Sequence, residues 1–287
     1  MYHTVGRLLI LKSFKPNNFR VRSAVDLAYK LHGKSPSGET AVFVLHGLLG
    51  SKRNWESMSK QISLNTKKSV VAVDLRNHGE SEHDNSHTYG ELASDVSRLI
   101  EKLSVKDAIL IGHSMGGRTA MVLALTEVNL VVVDISPVST AGILNKFFPN
   151  LISVMKSIDF KGAGNVVQAR AVAKQKLLDS GLVDDVDSMY FVLMNIGKRP
   201  DNSNGWMCNL DALQKHFTDI ATFPPDFSGK TYNGRTLFIG GNKSNYLPKE
   251  GKCFFPKAEI KYVDAGHNVH AENPSVFLSI VTEFISS

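Results

Sequence analysis

The chain has 287 residues, long enough to bury a sizeable core as one α/β domain, and 43% hydrophobic with 21% charged residues is an ordinary globular composition. Its formal charge is +6, but residues 1–25 hold Arg7, Lys12, Lys15, Arg20 and Arg22 and no acid, so the rest is near neutral and presents no nucleic-acid-binding face. No apolar run approaches the ~18 residues of a membrane span, and Cys208 and Cys253 match no metal or redox spacing, which leaves two ordinary thiols and no disulfide scaffold.

Taken in order, residues 1–24 form an acid-free, Arg-bearing leader of the kind that directs proteins to mitochondria. Its apolar stretch Leu8–Leu11 is too short for a secretory signal; a plain basic tail on a cytoplasmic protein is the alternative. A single α/β domain is expected over 25–287. Val25–Leu31 alternates like a half-exposed strand, and Ala41–Leu45 is the apolar run of a central parallel strand leading into His46–Ser51. Asn54–Leu64 carries Trp55, Met58 and Ile62 at helical spacing. Val70–Leu75 is a buried strand, followed by Arg76–Ser81. Tyr89–Leu103 sets Leu92, Val96, Leu99, Ile100 and Leu103 on one helical face. Ala108–Ile111 reads as a strand, Thr119–Leu125 as a buried helix and Leu130–Val133 as another strand. This alternation implies a mostly parallel sheet with helices on both faces. From 139 to about 229 the pattern turns helical, with segments at Ile143–Ile158, Asn165–Ser180, Val186–Ile196 and Asn209–Ile220 and no strand, as expected of a cap inserted between strands. Strands return at Thr236–Ile239 and Ile260–Val263, and Val276–Ile285 closes the chain as a helix.

The chemistry centres on Gly112-His113-Ser114-Met115-Gly116, a G-x-S-x-G between a strand and a helix. Such a turn strains the serine backbone, lifts its hydroxyl above the sheet and leaves the Met115 N–H at a helix N-terminus, aimed at an acyl oxyanion. A serine needs a base, and His267 after the last strand is favoured over nearby His270. A carboxylate must orient that imidazole. The loop after Thr236–Ile239 would commonly supply it, but Asn242–Tyr246 contains no acid. Asp134, ending the Leu130–Val133 strand, is the first choice and Asp211 the alternative. Asp264, three residues before His267, points elsewhere. His46-Gly47-Leu48 is placed to give a second oxyanion donor, the Leu48 N–H. The turn with Asp74, Arg76, His78 and Ser81 reads as a buttress. Phe147, Phe148, Met155, Tyr190, Phe191, Met194 and Trp206 suit an apolar acyl pocket, although residues at such spacing more often form a cap's own core.

Four stretches, HGLLGSKRNW, DLRNHGES, GHSMGGRTAM and VDISPV, occur in one order. With them the chain resembles the α/β-hydrolase superfamily along its length after the leader, and within it a branch that includes small bacterial esterases. The resemblance implies the α/β-hydrolase fold, an eight-stranded, mostly parallel sheet with a helical cap, and a serine hydrolase that cleaves esters of small acyl or lipid-like substrates through an acyl-enzyme. It carries over Ser114 as nucleophile, His267 as base, and Leu48 and Met115 as oxyanion donors. It supports Asp134 as the acid, yet WMCNLDAL around Asp211 is also family-like, and both acids stay open. No metal or organic cofactor is expected. The expected partner is a small acyl ester or lipid, while protein partners leave no readable mark. A thioesterase or acyltransferase would use the same triad, and a non-catalytic ligand-binding or scaffolding protein on the same fold is the rival from another class.

Overall fold

The computed structural model describes residues 24–125, 129–145, 147–183, 186–247 and 254–287. The expected leader, apart from Ala24, and Cys253 lie outside the described residues. In chain order the elements are β1 (Tyr29–His32), β2 (Thr40–Leu45), α1 (Glu56–Thr66), β3 (Ser69–Val73), α2 (Tyr89–Lys102), β4 (Asp107–His113), α3 (Met115–Ala124) and β5 (Asn129–Val133). Then come α4 (Ala141–Leu144), α5 (Phe148–Lys156), α6 (Val166–Ser180), α7 (Val186–Leu193), β6 (Ile196–Lys198), β7 (Asn204–Trp206), α8 (Leu210–Lys215) and α9 (Phe217–Ala221). The chain ends with β8 (Thr236–Gly241), β9 (Glu259–Val263), α10 (Val269–Glu272) and α11 (Pro274–Ser286).

The main sheet runs β1-β3-β2-β4-β5-β8-β9, with β1 antiparallel and the other neighbours parallel. Its alternating side chains feed two cores. Val42, Val44, Ile109, Ile111, Val131, Val133, Leu237 and Ile239 pack on one face with Ile62 of α1 and Phe277 and Val281 of α11. Phe43, Leu45, Val71, Val73, Leu110, Leu130 and Val132 pack on the other with α2 and α3. A strand covered on both faces must be apolar at both parities, which is why these runs are continuous in sequence. At its start α2 is fixed by a capping box, with Thr88 accepting from the Glu91 N–H and Glu91 from the Thr88 N–H, a device worth about 1 kcal/mol.

The sheet has seven strands among the described residues, close to the eight that the resemblance implies. Three expectations need correction. Strand pairing begins at Tyr29, because the N–H groups of Val25, Asp26 and Ala28 bond to the side chains of Asp95, Glu82 and Ser81 instead of a neighbouring strand. The expected helix over Ile143–Ile158 is divided into α4 and α5, since Pro149 in the first turn of α5 cannot continue a helix from the preceding residues. The insertion between β5 and β8 also contains a strand pair: β6 and β7 join antiparallel around an exposed turn at 199–203. Among the described residues no helix is long and apolar enough to cross a membrane.

Candidate active site

Register brings the first two residues together. β4 and β5 pair His113 with Val133, so Ser114 and Asp134 leave adjacent strands at the same level of the carboxyl edge. Ser114 has φ 51 and ψ −116, and its N–H donates to the Val133 carbonyl at 3.1 Å. Small neighbours are obligatory at this turn. A Cβ on Gly112 would lie 2.3 Å from the Gly116 carbonyl oxygen, and one on Gly116 would lie 2.3 Å from that of Leu45. The serine is thus raised by a helix that starts in contact with both neighbouring strands.

Asp134 is fully buried, with φ 46. Its Oδ1 accepts the Gly241 N–H at 2.9 Å, and its Oδ2 accepts the Ser244 hydroxyl and His267 Nδ1–H, the latter at 2.7 Å. His267 lies in the loop after β9, which Glu272 braces by accepting from the N–H groups of Gly266 (2.6 Å) and Asn268 (3.1 Å). With Nδ1 donating to Asp134, His267 has its Nε2 free to accept a proton. His113 Nε2 donates to the His267 carbonyl at 2.9 Å, and the two rings lie 4.7 Å apart. The Tyr246 ring is 4.2 Å from that of His267. Among the described residues no hydrogen bond joins the Ser114 hydroxyl to His267, a contact that often tightens only with substrate bound.

The loop after β2 reaches the same corner. A Cβ on Gly47 would come within 3.3 Å of the Ser114 Cβ, so this backbone lies directly against the serine. Gly50 N–H closes a turn onto the Gly47 carbonyl at 2.9 Å, with Leu48 inside it. Among the described residues the Leu48 N–H has no hydrogen-bond partner, unlike that of Leu49, which is taken by His78.

The remaining candidates stand apart. His270 is buried flat against Trp55 with ring centroids 3.9 Å apart, and burial, then the His267 charge, push its pKa down to about 3. It is a packed neutral ring. Asp211 is not paired with His267; its side chain is 83% exposed and ion-pairs with Lys156 at 2.5 Å on the insertion's surface. Sequence could not separate it from Asp134, because strand register decides which carboxylate meets the imidazole. Asp264 points away to Lys243 at 2.9 Å. Asp74 holds the N–H groups of Lys52 (2.7 Å) and Glu80 (2.9 Å), and Arg76 forms a buried two-pronged pair with Asp95 at 2.6 and 2.8 Å. That turn is a buttress. Met155 and Trp206 form the insertion's own core, with Trp206 Nε1–H donating to the Met155 carbonyl at 2.8 Å. Cys208 is buried and its thiol is pushed up to about 12, so it is inert packing.

The chain matches the family described as alpha/beta hydrolase fold over residues 40–274. It belongs to the α/β hydrolases. Similar members include the sn-1-specific diacylglycerol lipase ABHD11 of Xenopus tropicalis, 35% identical over 98% of this chain and 89% of that one. The same lipase of Danio rerio is 37% identical over 94% and 85%. A solved marine microorganism esterase is 29% identical, with a TM-score of 0.78 over 91% of this chain and all of its own. In this α/β hydrolase the loop after β8 carries a hydroxyl, Ser244, at the place expected to hold a carboxylate, and that hydroxyl bonds Asp134 at the end of the neighbouring strand. Reading the loop only for acids missed it. Among the described residues no group of three or more His, Cys, Asp or Glu is gathered as metal ligands are.

Proposed function

We propose that the chain is a serine hydrolase that cleaves carboxylic esters through an acyl-enzyme, with Ser114 as nucleophile, His267 as base, Asp134 as the orienting acid, and the Leu48 and Met115 N–H groups as oxyanion donors. The observation that carries the reading is the 2.7 Å His267–Asp134 bond beside a serine in a strained strand-to-helix turn. Ser114 Oγ attacks the ester carbonyl while its proton passes to His267 Nε2. The imidazolium is held by Asp134, and the negative oxygen is met by the two N–H groups. As the intermediate collapses, His267 returns the proton to the departing alcohol. Water, deprotonated by the same nitrogen, then frees the acid and regenerates Ser114.

The substrate class is an acyl ester of lipid character. The diacylglycerol lipases among the relatives support an acylglycerol, and the helical insertion over 139–229 would act as the lid above it. A second reading, acyl transfer to an alcohol, is favoured by the ethanol acetyltransferase of Cyberlindnera jadinii, 28% identical over 93% of this chain. The leader supports a mitochondrial address, tested by whether residues 1–24 carry a fluorescent protein into mitochondria. The central experiment compares acetate, butyrate and octanoate p-nitrophenyl esters and a diacylglycerol, with wild-type and Ser114→Ala protein. Turnover that vanishes with Ser114→Ala is expected; equal rates in both would leave the binding-protein reading. Added ethanol that diverts product from free acid to ethyl ester would select the transferase.

A further inference from the structure

Leu49, next to the proposed oxyanion donor, has φ 57, a left-handed conformation uncommon for any residue but glycine. Something must hold it there, and its peptide groups are gripped from two sides. His78, in the turn after β3, accepts the Leu49 N–H on Nε2 at 3.2 Å. Its Nδ1–H donates to the Arg76 carbonyl at 2.9 Å, which fixes the tautomer with the bare nitrogen facing Leu49. Burial, reinforced by His46 and His87, holds the His78 pKa well below its usual value, so the ring stays a neutral acceptor. The second grip comes from the insertion. Asn195, just before β6 and 3% exposed, donates from Nδ2 to the Leu49 carbonyl. The same Nδ2 meets the Val192 carbonyl at 3.2 Å, and the Asn195 backbone carbonyl accepts the Met207 N–H at 2.7 Å, which ties Asn195 to the open end of the β6/β7 pair.

We propose that His78 and Asn195 are positioning residues that lock the 47–50 turn and so aim the Leu48 N–H at the position where the acyl oxyanion forms. Seating of the insertion thereby completes the oxyanion hole. The inference rests on the serine-hydrolase reading and extends it. An oxyanion donor acts through preorganisation, so a loosened turn loses stabilisation of the tetrahedral intermediate while ester binding is untouched. Because both grips act on one residue, their losses are not additive.

The test uses the full chain with a p-nitrophenyl ester as substrate and an alkyl boronic acid as tetrahedral mimic. His78→Leu and Asn195→Ala are each expected to lower kcat by about tenfold or more, hold KM within about twofold and weaken the boronic acid by the same factor as kcat. The double variant should lose less than the product of the single losses. His78→Gln, whose amide oxygen can still accept the Leu49 N–H, should retain kcat within about threefold. Asn195→Asp keeps the shape but swaps donor for acceptor, and should fall like Asn195→Ala even where the alanine variant folds poorly. Wild-type kcat in folded Asn195→Asp or His78→Leu, or a loss confined to KM, would overturn the positioning role. Turnover that survives Ser114→Ala would instead overturn the hydrolase reading beneath it.

Discussion

Asp134 sits at zero exposure with three hydrogen-bond donors on its two oxygens, from Gly241, Ser244 and His267. A carboxylate taken out of water needs such partners, and each charged hydrogen bond contributes about 1.5–3 kcal/mol. Replacing the acid and replacing its support therefore have separable consequences. Asp134→Asn, which keeps the shape but lets the imidazole settle in the wrong tautomer, is expected to lower kcat by about 10³–10⁴-fold. Ser244→Ala removes one donor and leaves the pair intact, so kcat should fall by about one order of magnitude with little change in KM. Steady-state kinetics on a single p-nitrophenyl ester measures both. A Ser244→Ala effect as large as Asp134→Asn would mean that the hydroxyl has a larger part than support.

At the scale of elements, Arg118 of α3, one helical turn beyond Ser114, joins the elbow to both ends of the insertion. Its buried guanidinium donates to the carbonyls of Ser136 (3.4 Å), Val138 (2.5 Å) and Ile220 (2.9 Å) and to the Thr140 hydroxyl (3.2 Å). Tyr89 adds its own hydroxyl to the Ile220 carbonyl at 2.7 Å. Arg118→Met should leave the Ser136 and Val138 carbonyls buried and unpaired while Tyr89 still holds Ile220, lowering stability by at least about 2 kcal/mol in urea unfolding, whereas Tyr89→Phe should cost about 1 kcal/mol. None of this was legible in the sequence, where Arg118 is one residue of an apolar helix. What was legible follows one rule: elements whose own residues carry the signal can be read. β2, β3, β4 and β5 announce themselves as apolar runs, and Gly112 and Gly116 mark the elbow because a side chain there cannot fit. Residues 196–198 and 204–206 are too short for any periodicity. The roles of Asn195 and Ser244 depend on partners 110 or more residues away that nothing local in the sequence marks, and strand register decides between Asp134 and Asp211.

For the molecule as a whole, burial of histidines sets the response to acid. Burial, then the charge on Arg76, drives His87 to about 3, and burial, then His267, drives His270 to about 3. In the unfolded chain each ring takes a proton below its ordinary value near 6.5, but in the folded chain it does not until about pH 3. Stability from these rings is therefore full above about pH 6.5 and is lost as pH falls between those values. At pH 5.5 each ring costs about 1.4 kcal/mol, and the two together about 3 kcal/mol. Melting temperatures from pH 7.5 to 5.5 should fall accordingly, and His270→Phe, which retains the flat contact with Trp55, should remove about half of that contribution. A slope unchanged by His270→Phe would mean that the ring is already charged in the folded chain.

Ser114, Asp134 and Leu49 all have backbones with φ above 40, and such conformations cost about 1–3 kcal/mol each. They sit at the crests of three strands, each restrained by neighbours that come from distant parts of the chain. Warming will slacken those restraints while the sheet below is still paired. The temperature ceiling for turnover is then set by three peptide units and not by the hydrophobic core. The protein should become reversibly idle several degrees before it melts, and regain full rate on cooling without having unfolded.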